Sequence, residues 1–315
     1  GTTTNVSAAN TATTFLNTGN LVLGNGAGDS LTFAGGLTAT APAAISAAGT
    51  INTTNTAMSL GDAGTALTLT ANLTLNTAGG SLTLGGAVDG TTANTESLTL
   101  NAGSTGAVSV VGAMGQGTSL KTLTLTNSNG AVFSAPVTTG TSVVLTDTTD
   151  GQTIRFADDL STPVLTTTAN GYNLELLGTT TNVSDVNTAT TFLNTGNLVL
   201  GNGAGDTLTF AGGLTATAPA AISAAGTLNT TNTAMSLGDS DTALTLTANT
   251  TLNTTGGNAS AGGSLTLGGA VDGTTANTES LTLNAGSTGA VSVVGAMGQT
   301  TSVKTLTLTN STGRS

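Results

Sequence analysis

Apolar and small polar residues alternate along most of the chain. Leu67-Thr68-Leu69-Thr70, Leu82-Thr83-Leu84, Leu98-Thr99-Leu100, Val108-Ser109-Val110 and Leu123-Thr124-Leu125 all repeat every second residue. A period of two turns one set of side chains toward a core and the other toward water, which predicts half-buried β-strands. The β-branched Thr and Val in these runs suit a pleated surface. No stretch carries a helical 3.6-residue period of useful length, and Gly24-Asn25-Gly26 and Asp150-Gly151 mark turns between strands. The pattern predicts an all-β protein.

A far longer period overlies this one. Gly1-Thr2-Thr3-Thr4-Asn5-Val6 returns as Gly178-Thr179-Thr180-Thr181-Asn182-Val183, so that position 1 aligns with position 178. The match runs to Gly80 and Gly257, and six inserted residues (Asn258 to Gly263) then shift the alignment. It resumes from Ser81 and Ser264 to Ser128 and Ser311. Ten of 128 aligned positions differ. Residues 1–177 thus form a first complete module, with 129–177 as its inter-repeat segment, and 178–315 a second, incomplete module continuous with the first. Similarity this close points to recent duplication in a longer parent with further copies. The start at Gly1, without a leader, and the ending Gly313-Arg314-Ser315, which resembles a cloning remnant, fit a segment cut from such a parent.

The differences carry structural expectations. Ile51 to Leu228 and Leu120 to Val303 are volume-similar exchanges of the kind a packed core accepts. Ala8, Ala9 and Gly64 become Asp185, Val186 and Asp241, as expected of exposed turns. Leu73 becomes Thr250, which places that position at a rim rather than in the core. The insert of Asn, Ala, Ser and Gly belongs in a surface loop, and lengthening a loop by this much costs little.

Equivalent strands recur at irregular intervals, as from Leu98 to Leu123 and then to Val144, and two architectures compete for them. A β-sandwich fills a thick core, usually with large aromatics, and a module of this length would hold two such domains. A parallel β-solenoid stacks coil on coil around a narrow interior of Leu, Val, Ile and Ala. Six Phe, one Tyr and no Trp are poor filling for several sandwiches, whereas 45 Gly and small side chains suit stacked coils. The expected architecture is therefore a parallel β-helix of tandem repeats. At about 22 residues per coil and ~4.8 Å between strands, one module gives about 8 coils and a rod of about 40 Å.

Composition then narrows function. Charged residues make up 6% of 315, the formal net charge is −11, and Cys and His are absent. That removes the usual zinc ligand sets and the Ser-His-Asp and Cys-His nucleophiles. Four basic residues against 15 acidic ones give no basis for nucleic-acid binding by counterion release, nor for anchoring to anionic lipid. No apolar run approaches ~18 residues, so direct membrane insertion is not expected. At 37% hydrophobic the chain is too apolar for a disordered segment. A cysteine-free chain also suits export in the unfolded state.

Leu31-Thr32-Phe33-Ala34-Gly35-Gly36-Leu37-Thr38, Ser81-Leu82-Thr83-Leu84-Gly85-Gly86-Ala87-Val88 and Val111-Gly112-Ala113-Met114, leading to Lys121-Thr122-Leu123-Thr124-Leu125, resemble giant bacterial surface proteins with filamentous-haemagglutinin-like or autotransporter-like β-strand repeats. The resemblance lies in composition and rhythm over nearly the whole chain. It implies a right-handed β-helix, export to the bacterial cell surface or beyond, and adhesive or structural service as a rigid spacer, stalk or fibre. Implied partners are neighbouring repeats, head-to-tail copies, and surface glycans or host cells.

Candidate chemistry is sparse. Arg155, Asp158 and Asp159, with Asp147 and Asp150 nearby, form the one concentrated polar patch, and paired carboxylates can serve general acid–base catalysis. Without His or a nearby Lys, a solvated turn with a weak local ion pair fits better, and we expect no enzyme and no cofactor. Tyr172 with Glu175 is where a glycan or receptor would bind directly. Gly24-Asn25-Gly26-Ala27-Gly28-Asp29 partly matches a calcium-binding nonapeptide, which makes Asp29 and its counterpart Asp206 calcium candidates. The repeat lacks the immediate tandem such sites need, so a tight Gly-Asn turn accounts for it better. Outward Thr columns are similar to the flat faces of ice-binding solenoids, although here Ser, Asn and Ala interrupt them. Asn-x-Ser/Thr triplets such as Asn5-Val6-Ser7 arise by chance in a Thr-rich chain. Phe15, Phe33, Phe192 and Phe210 fill wide coils, and Lys121 and Lys304 stand in solvent.

Overall fold

The computed structural model describes residues 2–257 and 261–313. Among them the chain is all strand and turn, and no helix is long and apolar enough to cross a membrane. It divides into two compact units, Gly1–Asp158 and Asp159–Ser315.

In the first unit the strands pair in parallel, and three ladders form. One runs through Leu21, Ile45, Leu67 and Val88 and continues by single bridges to Met114 and Val137. The second joins Leu31, Ile51, Leu75, Leu100, Leu125 and Leu145. The third joins Leu37, Met58, Leu82, Val108, Ala131 and Ile154. The chain contributes one strand to each ladder in turn and then returns to the first, which makes a three-faced parallel β-solenoid. The coils are unequal in length: the step from Leu31 to Ile51 is short, and that from Leu82 to Val108 is long.

The second unit is built in the same way. Its ladders pass through Leu174, Leu198, Ile222, Leu244, Val271 and Met297, through Leu160, Thr181, Leu208, Leu228, Leu252, Leu283 and Leu308, and through Thr190, Leu214, Met235, Leu265 and Val291. Strands too short to stand alone are stable here because each is hydrogen-bonded into the coils beside it.

Period-two alternation decides which side chains enter the core. Leu67, Leu69, Leu82 and Leu84 point inward and are buried, while Thr68 and Thr83 between them stay half-exposed. Full burial of each Leu contributes about 1.5–3 kcal/mol before conformational entropy is counted. Equal registers stack like on like. Phe133 lies on Phe156 with ring centroids 4.7 Å apart and planes 7° from parallel, and Phe192 meets Phe210 edge-on at 5.7 Å, as Phe15 meets Phe33 at 6.1 Å. Phe192 is fully buried, because the coil from the inter-repeat segment packs beside it, whereas Phe15 on the first rung is half-exposed.

The corners explain the glycine. A Cβ on Gly86 would lie 2.0 Å from the carbonyl oxygen of Thr65, and one on Gly112 would lie 2.1 Å from that of Gly86. Successive coils turn too tightly there for any side chain. At Gly49 the backbone is left-handed (φ 81°) and lets one strand, Ala44–Thr53, serve two faces in succession.

Two sequence expectations need correction. Leu73 and Thr250 occupy the core, not a rim: they are 1% and 2% exposed and lie on the second ladder of their units. The Thr250 hydroxyl is accommodated because it donates to the carbonyls of Ala224 (3.2 Å) and Ala248 (3.0 Å). The insert is also displaced. Thr77 donates its hydroxyl to Gly80 O, and Thr254 makes the matching bond to Gly263 O at 2.6 Å. Thr105 Oγ1 bonds Gly79 O at 3.0 Å, and its counterpart Thr288 bonds Gly262 O at 2.9 Å. Ala261-Gly262-Gly263 thus take the places of Ala78-Gly79-Gly80, and the inserted residues are 255–260. Of these, Asn258, Ala259 and Ser260 lie outside the described residues, as do Arg314 and Ser315. Both neighbouring strands keep register, Leu252 with Leu283 and Leu265 with Met235. Ala8, Ala9, Gly64, Val186 and Asp241 are exposed and Asp185 half-exposed, as expected of turns.

Candidate functional surface

Both calcium candidates have buried carboxylates. Asp29 is 8% exposed and Asp206 6%. Asp29 Oδ2 accepts the backbone N–H groups of Asn25 (2.8 Å) and Gly26 (3.2 Å), and Asp206 Oδ2 those of Asn202 (2.7 Å) and Gly203 (2.8 Å). Each carboxylate folds its own turn, the tight Gly-Asn turn that the sequence suggests. Among the described residues no three acidic side chains converge as a metal would require.

The same arrangement recurs at acids the sequence did not single out. Asp89 on the first face reaches into the next coil, where Oδ1 accepts Gly117 N at 3.0 Å and Thr118 N at 3.1 Å. Asp272 repeats this with Thr300 and Thr301 at 3.0 and 3.1 Å. Glu96, 4% exposed, accepts the Thr91 hydroxyl at 2.7 Å and Thr92 N at 3.2 Å. Glu279 does the same with Thr274 and Thr275, and the Thr274 hydroxyl is the chief influence holding its carboxyl below the ordinary 4.5. At Asp185 the N–H of Asn187 (2.9 Å), followed by the Thr188 hydroxyl (2.7 Å), lowers the pKa from 3.8. Asp62 and Asp239 bond turn amides of Gly64, Asp241 and Thr242. The signal was present in Asp89-Gly90-Thr91-Thr92-Ala93-Asn94-Thr95-Glu96, unchanged in the second module, but only stacking shows which amides the acids reach.

Arg155 and Asp158 belong to the first unit and Asp159, Tyr172 and Glu175 to the second. Tyr172 is fully buried, its hydroxyl accepting Thr168 N at 3.2 Å and its carbonyl accepting Asn194 Nδ2 at 3.3 Å. It is a core residue and offers no aromatic surface to a ligand, because its ring is wide enough to fill a coil. Asp159 Oδ1 is taken by Thr180 N (2.8 Å) and the Thr179 hydroxyl (3.2 Å). Arg155 points outward beside Val132, and Glu175 outward beside Val199.

The second face presents a largely uncharged and periodic outer surface. On the second face of the first unit, Ser30, Thr50, Thr74, Thr99 and Thr124 form one outward column. Two residues on, Asn52, Asn76, Asn101 and Asn127 form another, with Asn76 Nδ2 donating to Asn52 Oδ1 at 3.2 Å. The second unit repeats both columns, and Asn253 donates to Asn229 at 2.9 Å.

Fold and surface together define a tandem-repeat parallel β-solenoid whose polar groups are spent largely on its own turns and ladders. Comparison with known protein families, with curated proteins and with solved structures finds no match to this chain.

Proposed function

We propose that the chain is a repetitive structural segment of a bacterial cell-surface or secreted adhesin or fibre, serving as a rigid extracellular spacer or stalk. One observation carries this reading: most of the carboxylates accept backbone amides of their own coil or the next, while the outward columns hold mainly hydroxyl and amide groups. Little is left over to recognise a ligand, and most of the polar chemistry holds coil to coil. Stability then accumulates through nearest-neighbour interfaces, as suits a load-bearing element that can be lengthened by adding repeats. The test is exchange within the parent surface protein. Replacing the segment with an unrelated solenoid of equal length should preserve adhesion. Loss of adhesion on that exchange, or on the single change Thr74→Lys in an outward column, would favour direct glycan or receptor binding and sink the spacer.

A second reading rests on the Thr column. The side chains of Thr50, Thr74, Thr99 and Thr124 face solvent at the ~4.8 Å spacing of the rungs. Such a column can order water, as an ice-binding face does. The neighbouring Asn amides bond to one another instead, which narrows the lattice. A thermal-hysteresis measurement separates the two readings: the spacer predicts none.

A further inference from the structure

Asn25-Gly26 and Asn202-Gly203 are the type of dipeptide in which a chain cyclises most readily. Glycine places no side chain in the way of its own amide nitrogen. In the reaction that nitrogen loses its proton to base and attacks the asparagine Cγ, and the carboxamide nitrogen leaves as ammonia. The cyclic imide then takes up one water and opens at either carbonyl, to aspartate or isoaspartate. Both asparagines are exposed to water and base, so their side chains are not protected by burial.

We propose that Asp29 and Asp206 guard these two sites against deamidation. Each carboxylate is buried below its turn and accepts the very N–H that must be lost, Gly26 N at 3.2 Å and Gly203 N at 2.8 Å, together with the N–H of the asparagine itself at 2.8 and 2.7 Å. Two effects follow. The hydrogen bonds pin the amide in the turn and restrict its movement toward Cγ. The negative charge beside it disfavours the amide anion, as any like charge disfavours ionisation. The site matters to the fold because the Asp29 carbonyl accepts Thr50 N, and the Asp206 carbonyl accepts Thr227 N, both at 2.8 Å from the following rung. Isoaspartate at this corner would lengthen the main chain where two coils are joined. The role assigned here is independent of the spacer reading, since it concerns chemical lifetime and not partners.

The test uses the whole chain, with isoaspartate and aspartate at each Asn-Gly quantified by peptide mapping during incubation at mildly alkaline pH. Asp29→Asn keeps an acceptor oxygen but removes the charge. One unit of amide acidity is a tenfold change in anion, so Asn25 should convert about tenfold faster or more. Asn202 in the same molecule should keep its wild-type rate, and Asp206→Asn should give the mirror result. Equal conversion of Asn25 in folded wild type and folded Asp29→Asn would overturn the proposal. A variant that fails to fold reveals itself by acceleration at Asn202 as well. The remaining comparison is wild type with and without urea: folded wild type converting Asn25 as fast as the unfolded chain overturns the proposal whatever the variants do.

Discussion

The hydroxyl of Thr254 donates to the carbonyl of Gly263 at 2.6 Å, across nine residues of chain, where its repeat counterpart Thr77 makes the same bond across three. The corner is therefore defined by a hydrogen bond and a close backbone approach rather than by chain length. A Cβ on Gly263 would meet Thr233 at 2.2 Å, just as one on Gly80 would meet Thr56 at 2.1 Å. Thr254 and Gly263 thus hold the places of Thr77 and Gly80.

Deleting residues 255–260 should therefore leave the fold intact. Shortening the loop to the length of its counterpart relieves closure entropy of about 1 kcal/mol by the logarithmic rule. Denaturant unfolding should show equal or slightly higher stability, and a large loss would mean that the inserted residues pack as part of the coil.

Thr250 and Leu73 occupy the same place on the second ladder, between Gly226 and Leu281 in one unit and Gly49 and Leu98 in the other. Leu73→Thr should cost about 1–3 kcal/mol, mostly lost apolar burial. Thr250→Leu should gain about 1 kcal/mol, because the first unit shows that the site accepts the larger side chain. Chemical denaturation of both variants measures the two signs.

Glycines here divide sharply by what a side chain would meet. Gly86→Ala drives a methyl into the Thr65 carbonyl at 2.0 Å, and a loss of at least about 3 kcal/mol is expected. Gly28→Ala meets nothing within 4 Å and needs no left-handed backbone, so it should be neutral or gain about 0.4–1 kcal/mol. Their melting temperatures should move in opposite directions or only the first should move.

Glu279 has a folded pKa below its ordinary 4.5, so it binds a proton less readily folded than unfolded. Its stabilising contribution is then fully present above pH 4.5 and disappears as pH falls through the lowered folded value. Wild type should melt above Glu279→Gln at neutral pH, and the two curves should converge in acid. A gap that persists at low pH would mean that the variant is damaged for another reason.

The strands were legible because their alternation is uninterrupted: Leu82-Thr83-Leu84 can bury only one face. The preference for a solenoid over a sandwich followed from a core supply without Trp and with few Phe. Tyr172 and Thr250 misled for a common reason. A lone Tyr among small residues looks like a surface feature, and a Thr in place of Leu looks like a rim, yet the ring fills a coil and the hydroxyl finds carbonyls of its own strand and the one beneath. Asp89 and Glu96 went unnoticed because their partners, Gly117, Thr118 and the turn amides, are chosen by stacking and not by spacing.

By itself the sequence determined the all-β class, the parallel coil and its approximate length, the two modules and the absence of His and Cys chemistry, since each depends on periodicity or composition. Only the tertiary structure decided where the six extra residues lie, which acids close which turns, and that Tyr172 belongs to the core. Those depend on which residue of one coil lies over which residue of the next. That register is set by backbone hydrogen bonds between strands far apart in the chain, and no local pattern encodes it.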